Sequence, residues 1–185
     1  SFELKSLKEK YNIPIIEDLG SGVLIDLSKY RLSHEPTVQE CIKNGVDVVS
    51  FSGDKLLGGV QAGIIVGKKE YIEKMKKNQL TRALRVDKFT LSALEAVFSY
   101  YIDEELAISK IPTLNMLTIK IDELYSKAQK FIEYLGSNNE FSYEIIDIDS
   151  EVGAGSLPTQ KLPSKAVKVI SKSFTENELE EKLRS

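Results

Sequence analysis

Apolar positions along this chain fall into short runs, and the period of each run predicts an element. Residues 2–11, "FELKSLKEKY", carry a helical pattern. "IPIIED" (13–18) predicts a short buried strand that ends in two carboxylates. "EPTVQECIKNG" (35–45) predicts a helix, with Pro36 near its start and Gly45 at its C-terminal stop. "VDVVSFS" (46–52) and "AGIIVG" (62–67) predict two further buried strands. Strands of this length, separated by helices and bounded by glycine, predict a mostly parallel sheet covered by helices, an α/β class.

After residue 68 the pattern turns helical. "KKEYIEKMKKN" (68–78) is amphipathic. From Thr90 onward Leu91, Leu94, Val97, Phe98, Tyr101 and Ile102 follow the three-and-four spacing of a buried stripe. One longer helix is expected after Pro112, with Leu114, Leu117, Ile121, Leu124, Ala128, Ile132 and Leu135 on one face, ending at Gly136. "FSYEIIDID" (141–149) and "KAVKVIS" (165–171) alternate as strands around the glycine- and proline-rich "EVGAGSLPTQKLPS". A last helix begins where Thr175 and Glu178 stand in capping-box spacing. The expected division is a sheet domain over 1–111, then a linking helix and part of a small α+β domain over 112–185.

Composition narrows the class. The chain of 185 residues is 42% hydrophobic and 29% charged, as a folded globular protein is. No apolar run approaches the ~20 residues of a membrane span, and the charged start "SFELKSLKEK" is no signal peptide. Cys41 is the one cysteine, so no internal disulfide forms; this fits a cytoplasmic protein, and its periodic context predicts a buried helix thiol. His34 is the one histidine and lies in a polar loop, where a surface role is expected and a zinc site is not. Asp103, Glu104 and Glu105 read as a solvated helix end. A chain that starts at Ser1 without methionine and stops on a charged helix is expected to be a piece of a longer protein.

The candidate chemistry centres on "VVSFSGDKLLGGVQAG" (48–63). Asp18 ends one predicted strand and Lys55 lies just beyond another. In a parallel sheet, groups past the carboxyl ends of neighbouring strands converge on one crevice. An acid and a lysine meeting there fit pyridoxal phosphate: the amine forms a Schiff base with the aldehyde, and the carboxylate keeps the pyridine nitrogen protonated. Ser50 and Ser52 could donate to the cofactor phosphate, with Gly58 and Gly59 allowing a sharp turn. The same spacing also fits a solvated lysine in a turn and an aspartate capping the next element. A nucleotide P-loop fits worse, because no glycine precedes Lys55 and leucine follows it.

The stretch from Val48 to Glu95 closely resembles bacterial selenocysteine synthases, the L-seryl-tRNA(Sec) selenium transferase family, above all in "SGDKLLGG" and "QAGIIVGKKE". "IPIIEDLGSG", "IPTLNMLT" and "GSLP" match the same family in the same order. The resemblance implies the fold type I architecture of pyridoxal phosphate enzymes, with Lys55 as the Schiff-base lysine and Asp18 as partner of the pyridine nitrogen. It implies a β-replacement on serine carried by tRNA(Sec), through an aminoacrylyl intermediate, with selenophosphate as selenium donor. It further implies dimers assembled into a homodecamer, and a fragment that is inactive alone. Val60 stands where the family usually has proline, which restores a backbone N–H. Gly153, Gly155 and Ser156 match a family loop but receive no chemistry. Two rival readings are a related pyridoxal phosphate lyase acting on a small amino acid or amino sugar acid without tRNA, and a non-catalytic assembly fragment.

Charge adds one further feature. Residues 68–88 hold eight positive and three negative residues, a net +5 within a chain of net −3. That asymmetry fits an anionic partner, and equally a solvated helix face. Arg82 and Arg85, spaced by three, can share one side of a helical turn and offer guanidinium forks to an anion. Surface pairing fits them as well on spacing alone; the resemblance implies that the arginines of "RALR" contact the anionic selenium donor.

Overall fold

A computed structural model describes residues 2–153 and 160–184 of the chain. These form two compact units, one over residues 2–118 with 152, 153 and 160, the other over 119–151 and 161–184. Helices and small sheets occur in both, a mixed α/β composition.

The first unit opens with α1 (Phe2–Tyr11) and β1 (Ile16–Gly20), then a single 3-10 turn at Leu27–Tyr30, α2 (Val38–Lys43), β2 (Val48–Ser52) and β3 (Gly63–Gly67). The strands lie in the order β1-β2-β3. β1 runs parallel to β2 with Asp18 opposite Ser50, whereas β2 and β3 are antiparallel. The expectation of a mostly parallel sheet is therefore corrected to one parallel and one antiparallel pair. The cause is the link between β2 and β3, residues 53–62: too short to carry a crossover helix, it can only fold the chain back on itself.

β2 is the middle strand, paired along both edges, and its apolar residues are buried on both faces while Ser50 and Ser52 are half-buried. Val48, Val49 and Phe51 are buried, and Val49 and Phe51 form a core with Val38, Cys41, Leu57 and Leu94; Val60 packs at its edge. Cys41 is thus the buried helix thiol its context predicts. Burial pushes its pKa up to about 11, assisted by its hydrogen bond to Glu17, and keeps it in the unreactive thiol form. α2 starts later than Pro36, at the N-cap Thr37, whose side chain and Glu40 satisfy each other's backbone N–H groups.

At the amino end of β2 sits Asp47, a fully buried carboxylate. It accepts hydrogen bonds from Lys8 Nζ at 2.7 Å and from the Ile15 N–H at 2.8 Å, and pairs with Lys68 Nζ at 2.8 Å. The backbone repeats the tie, since Asp47 N–H donates to Ile15 O and Lys68 N–H to Asp47 O. One side chain therefore joins α1, the lead-in to β1 and the end of β3. Burial is the largest influence on its pKa and would raise it. The bonds from Lys68, Lys8 and Ile15 together outweigh burial and hold the group below the usual carboxylate range.

The remaining helices of this unit are α3 (Lys69–Lys77), α4 (Leu80–Leu84), α5 (Lys88–Tyr100), α6 (Glu104–Lys110) and α7 (Pro112–Thr118). On α5 the stripe holds at Leu94, Val97, Phe98 and the adjoining Tyr101, which pack on the core. Leu91 and Ile102 are exposed, the latter because the helix has already ended. Asp103 caps α6 through Leu106 N–H, and Glu104 accepts bonds from Lys29 and Tyr30, so this acidic trio begins a helix and is partly paired.

The second unit contains α8 (Ile121–Leu135), β4 (Phe141–Glu151), β5 (Lys161–Ser171) and α9 (Glu176–Arg184). β4 and β5 form an antiparallel pair from Phe141 opposite Ser171 to Glu151 opposite Lys161, and α8 packs against both. The single long helix expected after Pro112 is corrected to two, α7 and α8. α7 ends at Thr118, whose Oγ1 donates to Leu114 O at 2.8 Å, and α8 starts afresh after its N-cap Lys120. Both strands run longer than expected. Pro163 is tolerated within β5 because either strand of a two-stranded sheet has a free edge. Thr175 and Glu178 form the predicted capping box. Gly155, Ser156 and the "GSLP" match lie outside the described residues.

Candidate functional site

β1 does not stop at Asp18 as expected but runs on to Gly20, so Asp18 lies within the strand, opposite Ser50, while the turn carrying Lys55 follows the carboxyl end of the parallel β2. Asp18 and Lys55 line one cavity of about 360 Å³, together with Glu17, Leu19, Gly20, Ser21, Glu35 and Pro36. This is within the usual size of a small-molecule pocket, ~300–1,000 Å³. Lys55 is half-buried and makes no side-chain hydrogen bond or ion pair with the described residues, so its amine is uncommitted.

The turn that holds Lys55 is tied down on each side. Gly53 N–H donates to Ala62 O, Gly59 N–H to Gly53 O, and Gly58 N–H to Lys55 O itself, at 2.8, 2.7 and 2.9 Å. Gly58 has φ of +72°, and a Cβ there would meet Ile111 Cγ2 at 2.3 Å, so this position requires glycine. The next two residues, Leu56 and Leu57, are buried pegs at 2% and 0% exposure, which fixes where the lysine stem emerges. Leu56 N–H donates to Ser21 O at 3.0 Å, joining the Lys55 turn directly to the loop that follows Asp18.

From the other side Tyr101 Oη donates to Leu57 O at 2.8 Å. Burial pushes this phenol's pKa up and keeps it protonated as a donor. Tyr101→Phe is expected to leave a buried carbonyl without that donor, costing about 1–3 kcal/mol of stability. Thermal melting of the variant beside the parent protein checks it.

The other sequence-derived residues are placed as follows. Ser50 Oγ donates to Asp18 Oδ1 at 3.0 Å and so orients that carboxylate. Ser52 is half-buried at the end of β2, next to the Lys55 turn; neither serine lines the cavity. Arg82 lies within α4 and Arg85 forms its C-cap in extended conformation, φ −63° and ψ 138°. Both are exposed and unpaired among the described residues. The turn of helix expected to align them therefore ends at the second arginine. His34 is exposed, 3.3 Å from Asp26 Oδ1 and 3.7 Å from Glu40 Oε2.

The sequence assigns no site role to Ser21, Glu17, Glu35 or Tyr101. A signal existed for Ser21, in the two glycines that flank it in "DLGSG"; Gly20 and Gly22 both have positive φ, +69° and +73°. Tyr101 was legible as a buried position, but nothing in a helix stripe tells where a hydroxyl points.

Comparison with known proteins places this geometry in context. The family model described as "SelA: L-seryl-tRNA selenium transferase" matches residues 1–185. Similar proteins named L-seryl-tRNA(Sec) selenium transferase include one from Alkaliphilus oremlandii, 56% identical over 98% of this chain and 39% of the relative. One from Clostridium botulinum (strain Loch Maree / Type A3) is 54% identical over 100% of this chain and 40% of its own length. One from Alkaliphilus metalliredigens is 54% identical over 99% and 39%. The chain thus spans about two fifths of the length of the curated relatives it matches. No helix among the described residues is long and apolar enough to cross a membrane.

Proposed function

The chain belongs to the L-seryl-tRNA selenium transferase family, and from that premise we propose that the full-length protein carrying it converts seryl-tRNA(Sec) to selenocysteinyl-tRNA(Sec), with selenophosphate as selenium donor and pyridoxal phosphate as cofactor. The observation that carries the reading is the cavity shared by Asp18, on β1, and Lys55, just past the carboxyl end of the parallel β2.

The residues present fit that cofactor. An uncommitted half-buried amine faces the same space as a carboxylate already oriented by Ser50, and Gly20 leaves that space open because a Cβ there would meet nothing within 4 Å. Lys55 would hold the cofactor aldehyde, Asp18 its ring nitrogen, and Ser50 and Ser52 lie beside this pair. When bound, pyridoxal phosphate supplies an electron sink that acidifies the α-proton of the seryl group and lets its hydroxyl leave. Lys55 would serve there as the general base that takes that α-proton. Asp18 keeps a proton on the ring nitrogen by its negative charge, and Ser50 maintains the direction of its carboxylate. Arg82 and Arg85, free of other partners, bind the anionic selenium donor.

In the fold type I architecture this implies, residues 1–111 belong to the large domain and 112–185 to the linking helix and small domain. The same reading makes the full-length protein a cytoplasmic homodecamer assembled from dimers, and this segment inactive alone. The test supplies full-length protein with seryl-tRNA(Sec) and selenophosphate and measures selenium on the tRNA. Transfer supports the proposal. Ammonia release from a small amino acid without selenium incorporation points to a lyase, and failure to bind cofactor points to an assembly role. Arg82→Ala or Arg85→Ala is expected to raise KM for selenophosphate about 10-fold or more, as loss of a charge-assisted hydrogen bond does, while KM for seryl-tRNA stays the same. Initial-rate kinetics in both substrates checks this.

A further inference from the structure

Ser21 carries an unsatisfied side-chain hydroxyl. Among the described residues, its Oγ is the one buried side-chain oxygen or nitrogen without a hydrogen-bond partner, and the residue is only 7% exposed. Buried hydroxyls are almost always bonded, because leaving one bare forfeits its hydration. The main chain of Ser21 is fully engaged, with N–H donating to Leu19 O at 2.7 Å and O accepting from Leu56 N–H at 3.0 Å. The side chain is therefore the one part of the residue left unsatisfied, and Ser21 lines the cavity with Asp18 and Lys55.

The walls of that cavity supply carboxylates from Glu17, Asp18 and Glu35. Carboxylates chiefly accept hydrogen bonds, so the side-chain donors on offer to an oxygen-bearing ligand are Lys55 and the Ser21 hydroxyl. We propose that Ser21 is a ligand-binding residue: its hydroxyl turns about χ1 into the cavity and donates to an oxygen of the molecule held between Asp18 and Lys55. This rests on the assignment of the cavity to pyridoxal phosphate. Ser21 also stands in the loop hydrogen-bonded to the Lys55 turn, so an occupant engaged by both residues would bridge the two segments.

Full-length Ser21→Ala protein tests it by two readouts, cofactor affinity from equilibrium dialysis with pyridoxal phosphate and the melting temperature of the cofactor-free form. The expected result is an affinity about 10-fold weaker, with the cofactor-free melting temperature unchanged or raised, because the substitution removes an unsatisfied group. Unchanged affinity overturns the inference and leaves the assignment of the cavity intact. So does an affinity loss matched by a lowered cofactor-free melting temperature, which marks a structural role. If the parent protein binds no pyridoxal phosphate, or Lys55→Ala leaves its visible absorption unaltered, the cavity assignment and this inference fail together.

Discussion

Lys55→Ala in the full-length protein is expected to abolish the visible absorption of bound pyridoxal phosphate and to lower selenium transfer by at least ~10²–10⁴-fold, the range for losing a positioned general base. The argument comes from the turn. The Lys55 side chain makes no hydrogen bond or ion pair with the described residues, and Leu56, Leu57 and the backbone bonds of Gly53, Gly58 and Gly59, which alanine would keep, hold the loop. The variant should therefore fold and melt like the parent. An activity loss with normal melting assigns chemistry to the amine; a joint loss of both would make Lys55 a structural residue. Absorption spectra, melting curves and single-turnover rates on the same preparations give the answer.

The second large effect is on stability. Asp47→Ala is expected to destabilise the sheet unit by about 3 kcal/mol, since it leaves the Ile15 N–H bare and parts two lysines from their shared anion. Lys8 and Lys68 are 25% and 55% exposed at their side chains and can turn to water, which keeps the cost below that of a wholly buried pair. The pH dependence follows from the depressed pKa of Asp47. A carboxylate with a folded value below its unfolded one contributes its full stability above the unfolded pKa of about 3.9 and loses it as pH falls toward the folded value. Asp47→Asn should thus show a shallower acid loss of stability than the parent below pH ~4. Urea unfolding at a series of pH values checks both variants; equal acid slopes would remove Asp47 as the source.

How much of this was legible beforehand depended on whether local pattern or distant contact decided the matter. The central strand was readable because Val48, Val49 and Phe51 are apolar on both faces, as only a doubly covered strand needs to be. The direction of β3 was not, although the ten residues of 53–62 already excluded a crossover helix; link length deserved more weight there than the parallel pattern of the strands before it. The apolar period after Pro112 runs on through Thr118 unchanged, so it gives no sign of the break between α7 and α8. Asp47 was passed over inside "VDVV", although an aspartate in an otherwise apolar strand must find partners, and Lys68 waits at the end of the next strand to pair with it. Asp18 and Lys55 were nameable because the crevice rule acts near the carboxyl ends of strands, which the pattern gives to within two residues: β1 runs on past Asp18 to Gly20. Ser50 illustrates the opposite limit: its position beside Asp18 follows from strand register, and its hydroxyl's choice of Asp18 over a phosphate does not.

The central claim is that one amine, on the turn after β2, carries the cofactor. Its most direct test is to treat cofactor-loaded full-length protein with borohydride, digest it, and locate the pyridoxyl group by mass spectrometry. The account predicts the group on Lys55, within the peptide that follows "SFSGD". Recovery of the label on another lysine, or no label on a protein that transfers selenium, would contradict it.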